Sequence, residues 1–303
     1  MTSHESPAGE RERVVEFWTR QHEREDLGTH DNFLVHPFVQ GYICLRSLGS
    51  LMSMMDALVF QLRERTRPGA RLFSPGCGRA DKELLLAAAL PDREFVAMDI
   101  TPAILELARA EAARRGLANI SFFQGDFNRL ALEPRSFDVV LGMGSIHHVE
   151  ALEDFWAAAR SALRPGGCVL AQEFIGPDRM QWNEAQQREG TRVLRELVHA
   201  EHKVHHDVVR PVDLATIIAF DPSEAVRSSA ILPTLRAGGF EVVAYAGAGC
   251  SLLQPVLMHQ VQTFDARNWD HNLRLATLFR EEDRLLRAGV LADDFAMFAA
   301  VAR

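Results

Sequence analysis

The stretch Arg71-Leu-Phe-Ser-Pro-Gly-Cys-Gly-Arg-Ala-Asp81 joins a short apolar run to a helix-forming one through two glycines. Asp99 closes a second apolar run, Glu94-Phe-Val-Ala-Met-Asp99, 21 residues after Gly78. A buried strand that pivots into a helix while its backbone passes against a ligand needs residues without side chains at the pivot, which Gly76 and Gly78 supply. The helix that starts at about Asp81 offers unpaired N–H groups to an anion, and an acid at the end of the neighbouring strand can accept from both hydroxyls of a ribose. A Gly-x-Gly turn alone is weak evidence. With a helix after it and an acid at this distance it points to a nucleotide-type cofactor.

Outward from this turn, short apolar runs alternate with helical patterns. Strands are expected at Leu72 to Ser74, Glu94 to Met98, Ile120 to Phe123, Phe137 to Leu141, Gly167 to Phe174 and Phe240 to Tyr245. Helices are expected at Asp81 to Ala89, Pro102 to Arg115 with Thr101 as N-cap, Ala151 to Leu163 and Ile231 to Ala237. Such alternation implies a mostly parallel sheet with helices on both faces and ligands at the carboxyl ends of the strands. The run Phe295 to Val301 reads as the last strand, inserted antiparallel. Residues 1–69 form an N-terminal helical extension or lid, and residues 70–303 the main domain. The main domain carries a lid insertion at 178–230 and a helical insertion at 251–290. In the extension Leu48, Leu51, Met52, Met55, Leu58, Val59 and Leu62 recur at helical spacing and predict one helix that packs on the domain. Helical patterns also cover Gln181 to His206, Leu252 to Phe264 and His271 to Ala288.

Composition narrows the function. The 303 residues carry 33 Lys plus Arg against 41 Asp plus Glu, a formal charge of -8, which argues against a surface made to grip nucleic acid. Cys44, Cys77, Cys168 and Cys250 are scattered without metal-finger spacing, which suits a reducing cytoplasm and no disulfide framework. Neither an apolar leader nor a membrane-length apolar run is expected.

The order of glycine turn, Asp99, Gly125-Asp126-Phe127, Ser136-Phe-Asp-Val-Val140 and Leu163-Arg-Pro-Gly-Gly167 resembles class I S-adenosylmethionine-dependent methyltransferases over residues 70 to 303. Glu173-Phe-Ile-Gly-Pro177 with Gln181-Trp182, and Asp221-Pro-Ser-Glu-Ala-Val-Arg-Ser228, are similar to a bacterial subgroup with small-molecule or natural-product substrates. The resemblance implies a Rossmann-like α/β fold and S-adenosylmethionine as cofactor. It places Ser74, Gly76, Cys77, Gly78, Gly142 and Met143 at the methionine end, Asp99 at the ribose, and Ile100, Asp126 and Phe127 at the adenine. Two departures stand out: Ser74 occupies the position of an acid, and Ala80 the third small position of the turn.

Methyl transfer is an in-line displacement, so the enzyme mainly aligns donor and acceptor, and a base is needed only where the acceptor must lose a proton. His147 and His148, in Gly144-Ser-Ile-His-His-Val-Glu150, are candidate bases, with His147 placed first. The alternative is that one ring only holds its loop. Glu173 is a candidate acceptor contact, or else a partner of Arg227 or a helix cap. Trp18, His36, Tyr42 and Trp182 are candidates for a lid over the acceptor. The group His199, His202, His205, His206 invites a metal reading, but no acid completes a His-Glu-x-x-His arrangement and a solvated helix surface is expected, so no metal is assigned. The function expected is methyl transfer to a small molecule, first of all to a hydroxyl oxygen. The rivals are a cofactor-binding protein or non-methylating enzyme, and, further off, an NAD-dependent oxidoreductase. Oligomeric state stays open, a homodimer among the options.

Overall fold

The computed structural model describes residues 12–19, 33–203, 207–258 and 260–303. His205, His206 and the segments 1–11 and 20–32 of the N-terminal extension lie outside the described residues. Seven strands form one sheet in the order β3-β2-β1-β4-β5-β7-β6. They are β1 (Arg71–Pro75), β2 (Glu94–Asp99), β3 (Ile120–Gln124), β4 (Phe137–Met143), β5 (Leu163–Phe174), β6 (Phe240–Gly249) and β7 (Phe295–Ala302). The first five pair in parallel, and β7 runs antiparallel to both β5 and β6, as the sequence predicts for the last run. Chain order reverses direction between β1 and β4, the switch point where the carboxyl ends of two strands leave a crevice.

Period-two alternation divides the core. Leu72, Val139, Leu141 and Leu170 face α3 (Met54–Arg65) and α4 (Asp81–Ala89), while Phe73, Val140 and Val169 face α6 (Leu152–Ala162) and α9 (Ile231–Ala237), where Phe155 and Trp156 are fully buried. Each such side chain contributes roughly 1.5–3 kcal/mol on burial. The other helices are one at 12–19, here α1, then α2 (Pro37–Leu48), α5 (Pro102–Arg114), α7 (Glu184–Glu196), α8 (Leu214–Phe220), α10 (Leu253–Leu257) and α11 (Trp269–Arg287). Parts of α2, α7, α10 and α11 share a second core with the end of β6. Among the described residues no helix is long and apolar enough to cross a membrane.

Several expectations need correction. The stripe from Leu48 to Leu62 is not one helix. Gly49 ends α2 with φ of 65°, Ser53 caps α3 by accepting the Asp56 N–H, and Leu51 between them is 76% exposed. The described residues between 252 and 264 hold only the short α10 and a 3-10 turn at Val261–Thr263. Strand β5 starts four residues earlier than expected, because Leu163 pairs with Phe137 before a bulge carries the Arg-Pro-Gly-Gly turn. Thr101 holds the N-cap position of α5 without making the capping bond. His202 is not on a solvated helix: it lies in a 3-10 turn, 1% exposed, stacked on Phe264, with the Arg274 guanidinium 3.0 Å from its Nε2.

Two buried acids make the fold sensitive to pH. Burial pushes Glu282 up to about 8, with Arg46 opposing and Asp294 adding, and pushes Asp294 up to about 7, with the Gln186 hydrogen bond opposing and Asp293 adding. Both folded values lie above those of the unfolded chain, so folding favours the protonated forms. Their contribution is complete below about pH 4 and is lost as pH rises toward 7 and 8. Glu282→Gln is therefore expected to raise the thermal midpoint at pH 8 by a few degrees, on the order of 1–2 kcal/mol, and to leave it nearly unchanged at pH 4, where both states are largely protonated. Scanning calorimetry at the two pH values checks this, and equal shifts at both would refute it.

Candidate functional site

A cavity of about 420 Å³ opens at the switch point. The β1–α4 turn forms one wall. Gly76 has φ of +67°, and a Cβ there would lie 2.6 Å from the Phe127 ring, so only glycine fits the turn against that ring. The Cys77 N–H donates to the Met98 carbonyl at 2.9 Å, and the Gly78 N–H donates to Asp99 Oδ2 at 2.9 Å. The other Asp99 oxygen accepts the Thr101 N–H at 2.9 Å. A single carboxylate thus fixes the turn and the start of α5 while it faces the cavity.

Ile100, Asp126 and Phe127 line the same cavity from the ends of β2 and β3, and Met143, Gly144 and Ser145 from the end of β4. Lys82 Nζ donates to the Met143 carbonyl at 2.6 Å, which ties α4 to β4 across the crevice. Gly142 does not line the cavity. It sits under Ile146, whose side chain would meet a Cβ there. Ser74 is also withdrawn, 2% exposed, with its hydroxyl on Glu83 Oε1 at 2.7 Å. Burial, with the charges of Glu83 and Asp99, raises the Cys77 thiol well above its usual range, so the turn carries no thiolate nucleophile.

The two histidines sit in a 3-10 turn, Ile146–His148, directly after β4. Glu173, at the end of β5 and 1% exposed, braces it from below. Its Oε1 accepts the Ser145 and Ile146 N–H groups at 2.8 and 2.9 Å, and its Oε2 accepts from His147 Nδ1 at 2.9 Å. Burial acts to raise Glu173, but the His147 imidazole and those N–H groups outweigh it and hold the carboxyl below its ordinary range. For His147 burial acts downward, and the hydrogen bond to Glu173 with the charges of Glu224 and Asp221 carries it above the ordinary imidazole value. His148 moves the other way: burial, then the neighbouring His147, lower it against the pull of Glu224 and Asp221. The pair titrates as a unit, with the first proton favouring His147.

The tautomer of His148 follows from its neighbours. Ser223 Oγ donates to Asp221 Oδ1 at 2.7 Å, so at 3.1 Å it accepts from His148 Nδ1–H. His148 Nε2 then carries the lone pair. His148 lines the cavity and His147 does not. Trp18 of α1 lines it too, its ring edge-on to His148 at 5.5 Å between centroids. The loop that carries Asp221 and Ser223 is pinned by the Val226 N–H on the His147 carbonyl and by Arg179 on the Pro222 and Glu224 carbonyls.

Other expected contacts lie elsewhere. His36 caps α2 and reaches the Phe264 carbonyl, Tyr42 stacks on Phe279 and donates to Asp283, and Trp182 is buried in the second core. In each case an aromatic body with a polar tip serves packing between helices. Arg227 pairs with Glu153, not Glu173. Sequence reasoning assigned no role to Glu83, Asp221 or Ser223. Glu83 gave no signal beyond its place in the first turn of α4, whereas the Asp221-Pro-Ser run was visible as a motif without a chemistry.

Residues 74–167 match the family model described as a methyltransferase domain. Nocamycin O-methyltransferase of Saccharothrix syringae is 30% identical over 234 residues, which cover 75% of this chain and 77% of that one. A probable phthiotriol/phenolphthiotriol dimycocerosates methyltransferase of Mycobacterium ulcerans is 29% identical over 182 residues, covering 59% of this chain and 65% of that one. The chain spans 65%, 51% and 44% of the length of this and two other curated relatives. The solved geranyl diphosphate C-methyltransferase of Streptomyces coelicolor, in complex with Mg2+, geranyl diphosphate and S-adenosyl-L-homocysteine, superposes with a TM-score of 0.56 at 12% identity over 98% of this chain and 99% of that one. At that identity the superposition speaks for the fold alone.

Proposed function

The chain belongs to the S-adenosylmethionine-dependent methyltransferases, and on that premise we propose that it methylates a hydroxyl oxygen of a small-molecule acceptor with His148 as the base. The observation that carries the reading is the His148 ring in the cavity wall, with Nδ1 held by Ser223 and Asp221 and the Nε2 lone pair left over. Burial and the neighbouring His147 keep this imidazole neutral at physiological pH, the state a base requires.

The cavity fits the cofactor. The glycine turn leaves room that a Cβ would fill, Asp99 lines the cavity at the end of β2, and the buried Ser145 hydroxyl, which lines it too, has no hydrogen-bond partner. When bound, S-adenosylmethionine supplies a methyl group on a sulfonium. Gly76, Cys77, Gly78 and Met143 would hold its methionine end, Asp99 its ribose, and Ile100, Asp126 and Phe127 its adenine. Glu173 holds the His147–His148 turn, and Trp18 with the 221–226 loop covers the acceptor side and excludes water. Nocamycin O-methyltransferase, an oxygen methylator by its name, supports an oxygen acceptor.

A second reading comes from Glu224. Ligand atoms of His147, His148 and Glu224 lie within 4.8 Å of one another, a donor set that suits a divalent cation. One experiment separates the readings. The full chain is incubated with labelled S-adenosylmethionine and a panel of phenols, enols, carboxylic acids and amines, with and without a chelator. Methylated hydroxyl product that survives chelation is expected. Product lost on chelation and restored by a metal favours the second reading, and cofactor binding without S-adenosylhomocysteine formation on any acceptor defeats both.

A further inference from the structure

The glycine turn lacks an acid at position 74, and the fold brings one back from another element. Glu83 lies in the first turn of α4, nine residues beyond Ser74, and its side chain returns beneath the Gly76–Gly78 turn. There its Oε1 accepts the Ser74 hydroxyl at 2.7 Å. The residue is 4% exposed, yet it lines the cavity beside Gly76, Cys77 and Gly78. Burial raises its carboxyl above the ordinary range, against the Ser74 hydroxyl and its own backbone N–H at the start of α4, so the ionised form lacks a counter-charge that a ligand could bring.

Among the described residues no Lys or Arg forms an ion pair with it. Lys82, next in sequence, spends its ammonium on the Met143 carbonyl. A carboxylate buried without a cation is costly, and such groups are found paired with a ligand or a metal. Of the other titratable groups about the turn, Cys77, Asp81 and Asp99 bring no positive charge, and Arg79, which also lines the cavity, makes no ion pair with Glu83 among the described residues. The complement of this site is a compact cation with several N–H donors that enters through the cavity, which describes a primary ammonium.

We propose that Glu83, oriented by Ser74, seats the α-ammonium of the cofactor's amino-acid part, so that the carboxylate missing from β1 is supplied by α4. The inference rests on the cofactor assignment above. Ser74 is then a positioning residue, its hydroxyl fixing the rotamer of Glu83 from the place the acid would occupy.

Calorimetry on the full chain with two ligands tests it: S-adenosylhomocysteine, which carries the ammonium, and 5′-methylthioadenosine, which lacks the whole amino-acid part. Glu83→Gln is expected to weaken S-adenosylhomocysteine by ten- to a hundredfold and to leave 5′-methylthioadenosine within twofold. Ser74→Ala, which retains the carboxylate, is expected to give the same selective pattern at about three- to tenfold. Ser74→Asp added to Glu83→Gln is expected to recover most of the lost affinity. Unchanged S-adenosylhomocysteine binding in Glu83→Gln, or parallel loss of both ligands in Ser74→Ala, overturns the proposal while the cofactor site stands. A wild-type chain that binds neither ligand overturns the cofactor assignment and this inference with it.

Discussion

Asp99→Ala is expected to weaken S-adenosylmethionine by at least a hundredfold, beyond ready detection by calorimetry. The carboxylate stands at the carboxyl end of β2, 9% exposed, and each of its oxygens accepts one backbone N–H, from Gly78 and from Thr101. Each oxygen keeps a second acceptor site, so one side chain can hold the turn and still receive two ribose hydroxyls. Hydrogen bonds to a charged acceptor are worth about 1.5–3 kcal/mol each, and two of them account for a loss of this order. The substitution also frees the Gly78 N–H inside the turn, so Asp99→Asn is the sharper variant. Its amide retains one acceptor and must face its NH2 toward one of the two backbone donors, and it is expected to lose nearly as much. Binding like the wild type in either variant would remove the ribose from this end of the sheet.

The turn was legible because several independent constraints coincide in few residues. The apolar run, the glycines and the helix start fix β1 and α4, and α4 occupies the expected span, Asp81–Ala89. The stripe from Leu48 to Leu62 failed for a physical reason. Apolar spacing does not register a break between two helices, whereas Gly49 in the left-handed region and the Ser53 cap do. His36, Tyr42 and Trp182 were singled out by residue type, yet Tyr42 reads as a core side chain once Phe279 is found stacked on it at 4.4 Å. Glu83 lay beyond reach for the opposite reason: an acid in a first helical turn has an ordinary explanation in the helix dipole. Only its contact with Ser74, made through the fold, separates it from a solvated Glu. The His147–His148 pair was visible, but the difference between the rings was not, since it depends on Glu173 from β5 and on Ser223 and Asp221 from a distant loop.

That difference sets the second large effect. His148→Ala is expected to lower kcat by 10²–10⁴ on a hydroxyl acceptor, the usual worth of a positioned base, with binding of S-adenosylhomocysteine unchanged. In the wild type the base works when neutral, so kcat/KM rises with pH through an inflection below the ordinary imidazole value, because burial and the charge on His147 both disfavour the second proton. Glu173→Gln acts on this inflection at one remove. It deletes the strongest of the anions that hold His147 above its ordinary value, so His147, its burial now opposed only by Glu224 and Asp221, holds its proton less tightly and repels His148 less. Glu173 also attracts a proton onto His148, but that attraction ranks below the repulsion from His147, so the inflection is expected to move up toward the ordinary value. Activity at pH 8 should fall less in Glu173→Gln than in His148→Ala, and the pH profile separates the variants where a single rate would not. An inflection that stays put in Glu173→Gln, or a His148→Ala enzyme with wild-type turnover on a hydroxyl, would take the base away from this pair and leave catalysis to alignment alone.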